Sequence, residues 1–113
     1  MADRLVPVLV AVGGFFGATS RYAVGLLVAG SAGTLAVNVA GSFVLAAVIG
    51  VVRSSRLRLF LATGLLSSFT TYSTFAVETA TRAPLPAFAN VGATYALGFA
   101  AAFAGLEVGR RYA

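Results

Sequence analysis

Four apolar runs of about 20 residues each constrain this chain more than any other feature. Residues 5–28, 34–52, 57–81 and 87–108 are each long enough to carry a helix across the hydrocarbon of a bilayer. They take up most of the 113 residues, so residues 1–113 are expected to form a single all-α, four-span transmembrane domain. The links at 29–33, 53–56 and 82–86 are short and contain Gly, Ser or Pro, which break helices. Short links make neighbouring helices antiparallel, which gives an up-down four-helix bundle. The first run is read as a span and not as a cleaved leader. It has no charge-rich start beyond Arg4, and it holds Gly13, Gly14, Gly17 and Arg21 inside it.

Composition agrees with a membrane location. Hydrophobic residues make up 59% and charged residues 10%, with a mean hydropathy of +0.95, whereas a soluble domain carries about 25% charged residues. Cys, His, Trp and Lys are all missing. That removes disulfides, thiolate and imidazole metal sites, Cys or His catalysis, Schiff-base chemistry and a phosphate-loop lysine. The acids are Asp3, Glu78 and Glu107; eight arginines against them give +5 and a pI near 10.8. In a soluble protein that balance would suggest nucleic acid. Here the arginines punctuate apolar runs, so the lipid bilayer is the partner and nucleic acid is not. With four spans, the N-terminus, the second link and the C-terminus share one side, which holds Arg4, Arg53, Arg56, Arg58, Arg110 and Arg111. The other side holds Arg82 and at most Arg21. The positive-inside rule puts both termini in the cytoplasm of a multi-pass cell-membrane protein.

Polar residues inside the runs fall on defined faces. In the second run Thr34, Asn38, Gly41 and Ser42 are spaced i, i+4, i+7 and i+8, one face of a helix. An unpaired amide in hydrocarbon is costly, so Asn38 faces protein or a polar path. Inter-helix glue and a pathway role are both open for this face. In the fourth run Asn90 and Thr94 lead a stripe continued by Gly98, Ala102, Gly105 and Gly109. The small residues read as a packing seam, and for Asn90 and Thr94 packing and pathway roles are both open. The third run is unusual: in Ser67-Ser68-Phe69-Thr70-Thr71-Tyr72-Ser73-Thr74-Phe75, six of nine residues are Ser or Thr. Such residues favour caps over helix interiors. The run is expected to break near mid-membrane into two half-helices. A break there is tolerated only where it lines a cavity or binds an ion. Free carbonyls at the end of the first half suit a cation, and free amides at the start of the second suit an anion. The competing reading is an unbroken helix whose hydroxyls bond back to the i−4 carbonyls.

Aromatics flank the break, with Tyr72 and Phe75 three apart on one face. Their ring edges carry partial positive charge that can hold a small dehydrated anion, and simple packing is the alternative. Glu78 lies one turn past Phe75, beside an ion path or at the interface. Arg21, late in the first run, either snorkels to headgroups or attracts anions.

Three motifs carry a resemblance over nearly the whole chain. They are Gly13-Gly14-Phe15-Phe16-Gly17-Ala18-Thr19-Ser20-Arg21-Tyr22; Gly33-Thr34-Leu35 with Asn38 and Gly41-Ser42-Phe43; and Gly64 with Thr70-Thr71-Tyr72-Ser73-Thr74-Phe75. In this order they resemble the fluoride-specific ion channels of prokaryotes, the Fluc or CrcB family. The resemblance implies an antiparallel dimer with two fluoride pores at its subunit interfaces, which lets fluoride run out of the cytoplasm passively and relieves its toxicity. It also implies a structural sodium ion at the dimer centre, held by main-chain carbonyls that fall on Ser67 and Thr70. The family often has glycine where Ser67 stands; backbone ligation makes that departure tolerable. The pore aromatics fall on Tyr72, where Phe is usual, and Phe75. The pore asparagine falls on Asn38 with Thr34 one turn earlier, and the hydroxyl track on Thr74, Asn90 and Thr94. Glu78 matches a carboxylate typical of the family, and Arg21 belongs to the first motif.

The physics is compatible. Fluoride holds its water tightly, so a pore must offer substitute donors and still release the ion. Amides, hydroxyls and ring edges are neutral donors; a cationic side chain in the pore would trap fluoride. The six-to-two arginine bias further implies insertion in one direction, so the partner is expected to be an oppositely oriented paralogue, with a homodimer as second choice. Two rivals differ in one feature each. A small proton-coupled drug exporter needs a titrating carboxylate deep in a span, and a structural membrane subunit does not need a broken, hydroxyl-rich third span. No acid–base pair or nucleophile–base set can be assembled, so no enzyme is expected.

Overall fold

A computed structural model describes residues 4–113; Asp3 and the other residues at the start of the expected domain lie outside the described residues. The described chain is helical throughout, with no strand. Helix α1 spans Leu5–Leu27 and α2 spans Ser31–Val51. Helix α3, Ser55–Arg58, runs on into a π-helical stretch, Leu59–Leu66, and then into the single turn α4, Ser67–Phe69. Helix α5 spans Ser73–Ala80 and α6 spans Pro84–Tyr112. Three helices, α1, α2 and α6, are each long and apolar enough to cross a membrane. The third apolar run is helical in two pieces, 55–69 and 73–80.

The links are shorter than expected, for local chemical reasons. Between α1 and α2 only residues 28–30 are non-helical. Gly30 has φ +73°, open to glycine at little cost, and its carbonyl accepts the amides of Gly33 and Thr34 at 3.1 and 3.3 Å. Ser31 to Gly33 therefore join the helix. Ser54 caps α3, its hydroxyl accepting the Leu57 amide at 3.3 Å. Arg58 donates to the Ile49 carbonyl at 3.2 Å, one of the carbonyls near the α2 terminus that an arginine can serve. The link expected at 82–86 also shrinks, because Pro84 opens α6. Proline stops a helix from within but suits its first position, where the missing N–H would have no partner anyway.

The helices pair most extensively across the chain order and not between chain neighbours. Links of three residues reverse the chain at each step, yet the extensive contacts are α2 with α6 and α1 with 59–69; α1 and α2 touch far less. Both main pairs run parallel. Phe43 and Ala46 meet Gly105, and Ala47 and Gly50 meet Gly109; likewise Val10 meets Gly64 and Gly14 meets Ser68. Glycine makes this possible. A Cβ on Gly64 would lie 2.8 Å from the Val10 carbonyl oxygen, and one on Gly50 would lie 3.0 Å from the Gly109 Cα. Small residues let backbones close up where lipid provides no hydrophobic drive between helices. Large side chains such as Phe15, Phe88, Phe99 and Phe103 point outward, which lipid accommodates and water does not.

Candidate functional site

Helical geometry stops at Thr70, whose ψ of 163° is extended, and resumes at Tyr72 with φ −88° and ψ −39°. The residue between, Thr71, is the buried polar residue of the described chain, 8% exposed. Asn38 of α2 grips its backbone from both sides. Nδ2 donates to the Thr71 carbonyl at 2.8 Å, and the Thr71 amide donates to Oδ1 at 2.7 Å. The Thr71 hydroxyl accepts the Thr74 amide at 3.2 Å and so caps α5. Ser42, one turn after Asn38, donates its hydroxyl to the Asn38 carbonyl at 2.7 Å. Gly41 leaves room for the methyl of Thr70.

Features of both readings of the third run coexist. Ser67 donates its hydroxyl back to the Thr63 carbonyl and Thr70 to the Leu66 carbonyl, the i−4 pattern of a continuous helix. At the very next residue, Thr71, the ladder is nonetheless interrupted. The carbonyls of Ser67 and Thr70 then have no hydrogen-bond donor among the described residues, nor do the amides of Tyr72, Ser73 and Phe75 have an acceptor. Free hard oxygens face one way in the chain and free donors the other. Carbonyl oxygens suit a hard cation such as sodium, so the donor set at Ser67 and Thr70 fits that ion. Among the described residues no group of three acids, Cys or His could hold a metal.

The expected site residues divide between two cavities. A groove of about 330 Å³ is lined by Asn38, Ser67, Thr70, Tyr72, Phe75 and Thr94, with Gly41, Ser42 and Tyr95. A smaller cavity of about 130 Å³ is lined by Arg21, Thr34 and Thr74. Thr71 borders both. Phe75 is buried at 7% exposure, while Tyr72 is 73% exposed, with ring centroids 6.0 Å apart. Asn90 lines neither cavity; it donates to the Thr79 hydroxyl at 2.9 Å and ties α6 to α5. Glu78 has a buried Oε1 without a hydrogen-bond partner. Arg21 is half-buried.

Sequence reasoning assigned no role to Tyr95 or Thr71. The Tyr95 ring stands edge-on to Phe75 at 6.1 Å and 85°, and Phe99 follows at 5.8 Å. The i, i+4 spacing of Tyr95 and Phe99 was available as a signal. Thr71 had none beyond membership of the hydroxyl run, because its importance comes from Asn38, 33 residues away.

Residues 8–106 match the family model described as CrcB-like protein, Camphor Resistance (CrcB). The chain is 53% identical to the fluoride-specific ion channel FluC 2 of Halobacterium salinarum over 117 aligned positions, which cover 98% of this chain and 88% of the relative. It is 51% identical to FluC 1 of Haloarcula marismortui, covering 94% and 87%, and 50% identical to FluC 1 of Natronomonas pharaonis, covering 88% and 90%.

Proposed function

Because this chain belongs to the CrcB family, we propose that it is a fluoride-specific ion channel through which fluoride leaves the cytoplasm passively. It is a channel and not an enzyme. The observation that carries the reading is the groove at the interruption, where neutral donors and the buried Phe75 ring line one space. Such groups can replace the hydration of a small anion without trapping it. The pathway residues are Asn38, Tyr72, Phe75 and Thr94 in the groove, Thr34 and Thr74 in the smaller cavity, and Asn90 beyond. Arg21 and Glu78 are charges beside the pathway. Asn38 contributes one N–H at most, since its other N–H is committed to Thr71.

The interruption lies near mid-membrane, and the active unit is an antiparallel dimer. The groove is open on one side, and open polar backbone is not tolerated against lipid; a second subunit would cover it. The Ser67 and Thr70 carbonyls would hold a structural sodium. Bound there, that ion would supply a fixed positive charge joining the two subunits. The arginine bias supports insertion in one direction with both termini cytoplasmic, and an oppositely oriented paralogue as partner; relatives numbered FluC 1 and FluC 2 are consistent with paired genes.

Growth tests this function. Cells stripped of their own fluoride export are expected to tolerate fluoride once they express this chain with its paralogue. No rescue with both proteins in the membrane would overturn the proposal.

A further inference from the structure

We infer that Asn38 and Thr71 are positioning residues that keep the interruption open as a cation site by withholding the amides its carbonyls would otherwise bind. The inference rests on the sodium reading above. In an unbroken helix each carbonyl accepts the amide four residues on. The partner of the Ser67 carbonyl is the Thr71 amide, and the partner of the Thr70 carbonyl is the Thr74 amide. Neither bond forms. Asn38 Oδ1 takes the Thr71 amide at 2.7 Å, and the Thr71 hydroxyl takes the Thr74 amide at 3.2 Å. The bonds on either side are intact: the Leu66 carbonyl accepts the Thr70 amide at 3.0 Å, and the Tyr72 carbonyl accepts the Ala76 amide at 2.8 Å.

The diverted amides belong to the two carbonyls assigned to sodium. Ser68 and Phe69 also end their half-helix without amide partners, as terminal carbonyls do. At Ser67 and Thr70, by contrast, a side chain holds the amide that would close the ladder. Asn38 also donates to the Thr71 carbonyl at 2.8 Å, so that oxygen already has a partner in the protein. Thr71 is buried, which limits the access of water to its hydroxyl. Gly41 seats the Thr70 methyl on the same face of α2. The stripe on α2 thus shapes a site whose ligands lie on another element.

Thr71→Val keeps the shape of the side chain and removes the acceptor, Thr71→Ser keeps the acceptor, and Asn38→Leu removes both amide contacts. The readout is the melting midpoint of purified protein as N-methylglucamine is exchanged for sodium. Wild type and Thr71→Ser are expected to gain stability over the same sodium range. Thr71→Val and Asn38→Leu are expected to need about tenfold more sodium for the same gain, the loss of roughly 1.4 kcal/mol of ion binding. Slow amide exchange along α1 and α6 checks that each variant is folded. If wild type responds to sodium and both disabling variants respond identically, the positioning role fails alone. If wild type is indifferent to sodium, the sodium reading fails and takes this inference with it.

Discussion

At the scale of single residues, contact distance decides what each position can hold. Gly105 packs against the Phe43 carbonyl, and a Cβ there would overlap that oxygen and lie 3.0 Å from the Ala46 Cβ. Backbone cannot step aside as a flexible side chain can. Gly105→Val is therefore expected to cost about 1–3 kcal/mol, the range for overpacking, and to lower the melting midpoint; an unchanged midpoint would mean that α2 and α6 are not closely paired. The same scale explains why Asn38 reads differently in the two views. Sequence identifies an amide that needs a partner inside the membrane. The structure identifies the partner as the backbone of Thr71. Glue and pathway were both open for Asn38; its two hydrogen bonds establish the first, and one N–H remains for the second.

At the scale of elements, apolar run length was informative and local chemistry more so. The helices at Leu5–Leu27, Ser31–Val51 and Pro84–Tyr112 follow from long, predominantly apolar sequence. Their ends extend into the Gly-, Ser- and Pro-containing segments, because Ser31 and Pro84 serve as helix starts. The hydroxyl run marked the third segment as irregular, and only residues 70–72 within it lie between its helices. The reason for that narrow window was not legible locally: Ser67 and Thr70 bond back along the helix as they would in an unbroken one, and the competitor for the Thr71 amide comes from α2. The π-helical stretch Leu59–Leu66 had no sequence signal either. It lies where α1 brings Gly13 and Gly17 against the backbone, so its geometry belongs to a pair of elements and not to one segment.

At the scale of the whole molecule, parallel pairing of α2 with α6 and of α1 with 59–69 gathers charge at one end. Gly50 touches Gly109 next to Arg110, and Arg58 reaches the Ile49 carbonyl, so the arginines of the second link and the C-terminus share an end. Val10 meets Gly64; Arg4 and Arg58 each precede that contact by the same chain length, and Arg4 joins the same end. A six-to-two imbalance of this kind is expected to fix insertion. Reporters fused to the C-terminus should signal from the cytoplasmic side alone, and equal signals from both sides would instead indicate a chain that pairs with inverted copies of itself. Ion flux tests the central claim most directly. Purified protein, alone and with its paralogue, is sealed into liposomes loaded with fluoride or chloride, and efflux is followed with ion-selective electrodes. Rapid fluoride loss with chloride retained is expected, slowed by Phe75→Ala. Equal loss of both halides, or retention of fluoride by liposomes that hold both folded subunits, would contradict it.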